Sequence, residues 1–127
     1  MSAKVTQPTL AEFELAHENV LKVAIKSPIL KSNFLSKYTG TEVFLKCENL
    51  QRTGAYKLRG AYNRMSKLTA AERKKGVVAA SAGNHAQGVA LAARKLGIKA
   101  TIFMPIGASL PKLQATENYG AEVVLIG

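Results

Sequence analysis

Apolar runs alternate with helical patterns throughout the second half of the chain. Three apolar runs each follow a glycine that ends a helical pattern: 77–80 after Gly76, 100–104 after Gly97, and 123–126 after Gly120. Helical patterns cover residues 85–96 and the residues after Ser109, where Pro111 stands in the first turn. Strands that are apolar on both faces and joined by helices predict an α/β fold, in which a parallel sheet has flanking helices.

The first half of the chain has shorter elements. Thr9 and Glu12 match a capping box. From Leu10 to Ala24, apolar residues recur at helical spacing and predict an amphipathic helix that ends near Ile25. The elements predicted after it are extended segments at 29–31 and 42–47 around a helical turn at 34–38, a helix at about 56–68, and a second capping box at 69–72.

The chain is strongly basic. It carries 18 Lys and Arg against 8 Asp and Glu, a formal net charge of +10 in 127 residues, which raises nucleic acid as a partner. These cations are dispersed and are not gathered with aromatic residues in one patch. The longest basic run, 73–75, precedes Gly76, and cations are favoured at the C-terminus of a helix. We therefore expect no nucleic-acid partner.

Neither a membrane span nor a secretion signal is visible. No apolar run approaches the length of a membrane-spanning helix, and Lys4, Glu12 and Glu14 interrupt the N-terminal segment. Cys47 is the only cysteine, so no internal disulfide can form, and its apolar surroundings predict a buried structural thiol. We expect a cytoplasmic protein with no membrane partner and no metal site.

Two segments carry the candidate chemistry. The first places Lys57 after the Gly54 loop and at the start of a helical pattern, where its amine can reach a carbonyl carbon. The second, 81–88, leaves an apolar strand, turns at Gly83 and opens a helix whose free N–H groups suit an anion. An amine beside an anion site favours a phosphorylated or carboxylated carbonyl compound, and pyridoxal phosphate with an amino acid substrate is the obvious candidate.

Other interpretations of these residues exist. A Walker A loop would need Lys and then Ser or Thr after Gly88, but Val89 and Ala90 stand there, and Gly83 lacks the glycine two positions later that a dinucleotide fingerprint needs. Taken singly, the residues have commoner structural roles: Lys57 as a surface cation, Asn84 as a helix cap, His85 as a hydrogen-bonded polar residue and Tyr56 as part of the core.

The two segments together resemble the paired motifs of the threonine and serine ammonia-lyases, which are pyridoxal-phosphate enzymes of fold type II with a tryptophan-synthase-β-like fold. Lys57 lies within Thr-Gly-Ala-Tyr-Lys-Leu-Arg-Gly-Ala, and Ser-Ala-Gly-Asn-His-Ala-Gln-Gly occupies 81–88. Similar segments follow the family's order at 27–29, 46–51, 76–80 and 119–124. Because chains of that family are over twice as long, the resemblance implies that this chain is an incomplete N-terminal fragment of such an enzyme.

The resemblance implies a role for each matching residue. Lys57 would bind pyridoxal 5'-phosphate covalently and then act as the base that takes the α-proton of the substrate. Asn84 would hydrogen-bond the 3-oxygen of the cofactor, and Tyr56, where the family more often has Phe, would pack beside the pyridine ring. The residues that would line the pocket for the substrate carboxylate are Ser81, Gly83, Asn84 and His85.

The implied reaction is β-elimination of L-threonine or L-serine to a 2-oxo acid and ammonia, in threonine catabolism or isoleucine biosynthesis. Residues 1–52 would contribute a helix and strands to the large domain, and 53–127 would form an incomplete small α/β domain. The family's glycine-rich phosphate loop and its partner for the pyridine nitrogen would lie after Gly127, so the chain alone would be inactive, whereas the parent enzyme would be a homo-oligomer. Two alternatives stay open: a non-catalytic α/β fragment and a serine racemase.

Ala82 distinguishes the lyase from the racemase. In the related serine racemases the matching residue is a serine that can return a proton to the opposite face of the α-carbon, whereas a methyl group has no proton to donate. We therefore expect the parent enzyme to convert L-serine to 2-oxo acid and ammonia with little D-serine. Chiral chromatography of the reaction products measures this ratio, and rapid formation of D-serine would contradict the prediction.

Overall fold

The computed structural model of the chain describes residues 7–127. Its helices are α1 Leu10–Val20, α2 Asn33–Thr39, α3 Lys57–Ser66, α4 Ala70–Lys75, α5 Asn84–Leu96 and α6 Leu110–Asn118, with a short 3-10 helix at Glu48–Leu50. Its strands are β1 Ile29–Lys31, β2 Phe44–Lys46, β3 Val77–Ala80, β4 Ala100–Pro105 and β5 Glu122–Ile126. None of the described helices is both long enough and apolar enough to cross a membrane.

The strands form two separate sheets. The second half of the chain forms a parallel sheet in the order β3–β4–β5, with Val77 paired with Ala100, and helices α5 and α6 connect its strands. Within residues 7–127, the first half contributes only the antiparallel pair β1–β2. The predicted parallel sheet with flanking helices is therefore confirmed. The division into 1–52 and 53–127 stays a prediction, and residues 1–6 of the first part lie outside the described residues.

The hydrophobic core is built from α3, α5 and one face of the parallel sheet. On β4 the alternate residues Ala100, Ile102 and Met104 are at most 3% exposed. Helix α5 contacts α3, α6, β3 and β4, which explains why more than half of its residues are buried. The buried side chains of the two helices are Leu58, Ala61, Tyr62 and Met65 of α3 and Ala86, Val89, Ala90, Leu91, Ala92 and Ala93 of α5.

Burial on β3 differs from the prediction. Val78 is 70% exposed, so the strand at 77–80, whose apolar pattern predicts a buried strand, is covered on one face only. Only the face that carries Val77 and Ala79 packs against the core. An apolar pattern shows that a strand can be buried, whereas its actual burial depends on which elements pack against it.

Two details of the N-terminal half also differ from the prediction. Helix α1 ends at Val20 rather than near Ile25, because the N–H of Val23 bonds to the carbonyl of Val20 in a tighter turn. Cys47 is half-buried rather than buried, since it directly follows β2, whose residues are exposed. The thiol of Cys47 donates to the carbonyl of Leu45 at 3.6 Å.

Both predicted capping boxes are confirmed. In each box the threonine Oγ1 accepts from the glutamate N–H at 3.3 Å, and the glutamate carboxylate accepts from the threonine N–H at 2.7 Å, for Thr9 with Glu12 and for Thr69 with Glu72. The threonine backbone hydrogen bonds lower the pKa of both glutamates. Ser109 occupies the predicted N-cap of α6, but its side chain makes no capping bond.

Gly76 joins α4 to β3 in a conformation that other residues rarely adopt. Its φ is +83°, and a Cβ there would lie 2.9 Å from the carbonyl oxygen of Lys99. We expect Gly76→Ala to lower the free energy of unfolding by about 3 kcal/mol, because backbone strain and a clash with a fixed backbone atom combine.

Gly97 provides a control that lacks such a contact. Its φ is +66°, and a Cβ there would meet no atom within 4 Å. Gly97→Ala should therefore lower the free energy of unfolding by only about 1 kcal/mol, the strain of the left-handed conformation alone. Urea unfolding of both variants measures the difference, and equal losses would show that the contact of Gly76 with Lys99 adds nothing.

Candidate active site

The loop before α3 leaves the amine of Lys57 accessible. Lys57 is the first residue of α3, and its Nζ lies 5.1 Å from the ring centroid of Tyr56. The loop itself is held in place by the N–H of Gly54, which donates to the carbonyl of Gln51 at 2.7 Å. Both Lys57 and Tyr56 are exposed, so an amine and an aromatic face stand side by side on a fixed loop.

The segment after β3 leads directly into the N-terminus of α5. The N–H of Ser81 donates to the carbonyl of Phe103 at 3.0 Å, which extends the β3–β4 pairing by one residue. The hydroxyl of Ser81 accepts from the N–H of Gly83 at 3.3 Å and shapes the turn. Gly83 is the N-cap of α5, and no side chain caps this helix of 13 residues. Its first N–H groups therefore present a partial positive charge to an anion at the sheet's carboxyl edge.

The structure brings these two segments together through Gly88. A Cβ on Gly88 would lie 3.1 Å from the carbonyl carbon of Lys57 and 3.1 Å from the nitrogen of Leu58. Asn84 precedes Gly88 by four residues, so the two share one face of α5. The face of α5 that carries Asn84 is thus the face that packs on the start of α3.

The structure gives each predicted site residue a definite place. Asn84 is the first helical residue of α5 rather than its cap, and Tyr56 is 58% exposed rather than part of the core. His85 is exposed and lines an apolar cavity of about 350 Å³ that also borders α3 and β3. Ser81 and Gly83 are half-buried in the turn. Among residues 7–127 no cluster of His, Cys, Asp and Glu could hold a metal ion.

An ion pair that sequence reasoning missed holds the other side of α3. Arg59 donates from Nε and from a terminal guanidinium nitrogen to the two carboxylate oxygens of Glu48, at 2.7 and 2.8 Å. The hydroxyl of Ser27 donates to the same carboxylate, and Nζ of Lys46 donates to the carbonyl of Ser27 at 2.5 Å. This network ties the first turn of α3 to the residues around β1 and β2.

The electrostatics of the pair are those of a strong, partly buried ion pair. The side chains of Arg59 and Glu48 are 29% and 17% exposed. Hydrogen bonds from Arg59 lower the pKa of Glu48 to about 2, against the opposing effect of burial, and the same bonds raise the pKa of Arg59. Glu48 and Arg59 both lie in segments that resemble the family's motifs, but the sequence around each of them does not indicate that they form an ion pair.

Comparison with known proteins is consistent with this geometry. The family described as pyridoxal-phosphate dependent enzyme matches residues 20–127, a range that includes Lys57 and the 81–88 segment. The L-threonine ammonia-lyase of Thermotoga maritima is 53% identical over 119 residues, which are 94% of this chain and 30% of that protein. The serine racemase of Schizosaccharomyces pombe is 46% identical over 125 residues, which are 98% of this chain and 39% of that protein.

A solved structure of a related protein has a similar fold. Maize serine racemase matches with a TM-score of 0.88 and 33% identity, over 94% of this chain and 36% of that chain. The chain therefore spans 30–39% of the length of these relatives.

Glu48→Gln tests the ion pair, because it keeps the shape of the side chain and removes its charge. We expect the variant to lower the free energy of unfolding by about 2 kcal/mol at pH 7, because the hydrogen bonds between the two charged side chains are lost. Since the pKa of Glu48 is lowered on folding, its contribution is complete above about pH 4.5 and is lost as the pH falls toward about 2.

Urea unfolding across this pH range measures the difference between wild type and variant, which should shrink on acidification. Glu42→Gln is the control, since Glu42 pairs with Lys31 at the surface with 69% of its side chain exposed and should change stability little. A Glu48→Gln difference that stays constant with pH would contradict the assignment.

Proposed function

This chain belongs to the family of pyridoxal-phosphate dependent enzymes, and we propose that it acts in the deamination of L-threonine and L-serine to a 2-oxo acid and ammonia. Its relatives include both ammonia-lyases and racemases, so the choice of reaction rests on this chain's own residues. The observation that carries the proposal is the contact of α5 with the first turn of α3, which brings the Lys57 backbone to the helix with an uncapped N-terminus.

The residues present fit pyridoxal phosphate. To this part of the chain the cofactor offers an aldehyde, a phenolic oxygen and an aromatic ring. Lys57 supplies an exposed amine, Asn84 an amide and Tyr56 an exposed ring. Each chemical group of this part of the cofactor thus has a matching partner on the chain.

Lys57 has two tasks in the proposed reaction. Its Nζ would hold the cofactor through the aldehyde, and as a free amine it would take the proton from the substrate α-carbon. Bound pyridoxal phosphate supplies the electron withdrawal that makes this proton acidic. The proton held by Lys57 would pass to the β-hydroxyl, which would leave as water, and addition of a second water would release the 2-oxo acid and ammonia.

The turn between β3 and α5 binds the substrate carboxylate in this proposal. N–H groups at the start of α5 point toward the carboxylate, and the helix dipole favours its negative charge. The hydroxyl of Ser81 accepts a bond from Gly83, which leaves its own proton free for a carboxylate oxygen. Asn84 orients the cofactor through its 3-oxygen, and His85 follows it in the first turn of α5, beside the proposed carboxylate site.

A serine racemase is the second candidate, favoured by the similarity to the racemase of Schizosaccharomyces pombe. Racemisation needs a proton donor on each face of the α-carbon. Ala82, half-buried in the turn between β3 and α5, has no such proton. We therefore favour the lyase.

We also propose that the complete enzyme is a cytoplasmic homo-oligomer and that 1–52 and 53–127 belong to different domains. The separate β1–β2 sheet supports the division. Large apolar side chains exposed around that sheet support assembly, because such surfaces mark contacts: Ile29, Leu30, Phe34, Tyr38, Phe44 and Leu45.

Lys57→Ala is the direct test of the proposal. In the complete enzyme we expect it to lower 2-oxo acid release from threonine more than about 1,000-fold, because the same amine binds the cofactor and moves the proton. Lys57→Arg should behave alike, since a guanidinium does not form the link. Borohydride reduction followed by mass spectrometry should find cofactor on Lys57 in the wild type and in neither variant.

Lys67→Ala is the control, because this exposed lysine lies just beyond the opposite end of α3. It should retain both activity and cofactor. Substantial deamination by Lys57→Ala without added amines would contradict the assignment of Lys57. A complete wild-type protein that neither takes up pyridoxal phosphate nor releases 2-oxo acid would support the non-catalytic alternative.

A further inference from the structure

Gly88 stands where a glycine is unexpected. It lies inside α5, is buried, and has neighbours in the helix that carry a Cβ into the core. Glycine within a helix is less favourable than alanine, so a requirement other than helix formation keeps alanine's methyl group away from this position.

The neighbours of Gly88 identify that requirement. A Cβ would lie 3.1 Å from the carbonyl carbon of Lys57, 3.1 Å from the nitrogen of Leu58 and 3.3 Å from the carbonyl oxygen of Lys57. All three atoms belong to the backbone, so none can rotate away. Gly60 of α3 offers the contrast, because a Cβ there would meet nothing within 4 Å.

The start of α3 has little freedom to retreat from a methyl group. The side chain of Leu58 is completely buried in the core. Arg59 is bound through two hydrogen bonds to Glu48 on the N-terminal segment. A methyl group at position 88 would therefore displace either the peptide of Lys57 or the start of α5.

We infer that Gly88 is a positioning residue, which sets the distance between the Lys57 backbone and the N-terminal turn of α5. Asn84 lies one helical turn before Gly88 on the same face, so this contact fixes the amine of Lys57 relative to the Asn84 donors. The inference rests on the proposed function for the role of Lys57. An amine displaced by a fraction of an ångström meets the cofactor aldehyde in a poorer orientation.

The test compares Gly88→Ala with a variant that disturbs the same helix away from Lys57. Ala92 is fully buried one turn further along α5, so Ala92→Val overpacks the core four residues away from the contact of Gly88 with Lys57. Four measurements on the complete protein are compared: the dissociation constant for pyridoxal phosphate, kcat for 2-oxo acid release, the pH midpoint of the absorbance of the bound cofactor, and the acetylation rate of Lys57 relative to Lys67 without cofactor.

We expect Gly88→Ala to weaken cofactor binding about tenfold and to lower kcat by about 100-fold, as a misplaced reactive group does. It should also shift the pH midpoint and the relative acetylation of Lys57. Ala92→Val should lose stability but leave these values as in the wild type. Wild-type values for Gly88→Ala, or equal shifts in both variants, would overturn the inference.

Two further outcomes are informative. If the wild type forms no reducible link at Lys57, the proposed function fails, whereas altered acetylation of Lys57 in cofactor-free Gly88→Ala would still support the positioning contact. If Gly88→Ala does not fold, it is combined with Gly60→Ala, which favours the helical state of α3. Failure to fold in that background as well would show that Gly88 serves the fold as a whole, and would overturn the inference.

Discussion

Helix α5 packs so closely on the start of α3 that a Cβ at position 88 would lie 3.1 Å from the backbone of Lys57, and the candidate site follows from this packing. Leu58, the second residue of α3, is fully buried at this contact, and Ala86, Ala90 and Ala93 on another face of α5 are at most 1% exposed in the same core. Small side chains allow two helix axes to approach without leaving voids. Because α3 starts at Lys57 and α5 starts at Asn84, the same contact holds both helix starts at one end of the sheet.

Much of the fold could be predicted because its signals are local. The glycine before each strand and the threonine–glutamate boxes act over a few residues, and β3 occupies the predicted range 77–80. The errors arise where distant parts of the chain decide the outcome. Val78 looks like a core residue, yet its exposure depends on what packs over β3, and the end of α1 at Val20 depends on a tighter turn that hydrophobic spacing does not reveal.

The candidate site likewise combines features that the sequence predicts with features that it does not. Lys57 and the 81–88 turn could be found because each is a contiguous motif with a chemical meaning. The pairing of Glu48 with Arg59 could not, since it joins residues 11 positions apart across a loop whose path the sequence does not state. The role of Gly88 was equally hidden, because a glycine in a helix does not reveal which backbone approaches it.

The chain combines exposed apolar residues in its N-terminal half with a formal net charge of +10, so the proposed association would depend on ionic strength. At low salt, repulsion between like-charged chains opposes contact between their apolar surfaces. At 0.15 M salt the screening length is only about 8 Å, so the repulsion weakens while the hydrophobic attraction persists. Phe34 and Tyr38, stacked on the outside of α2, are among the exposed apolar residues that such a contact would cover.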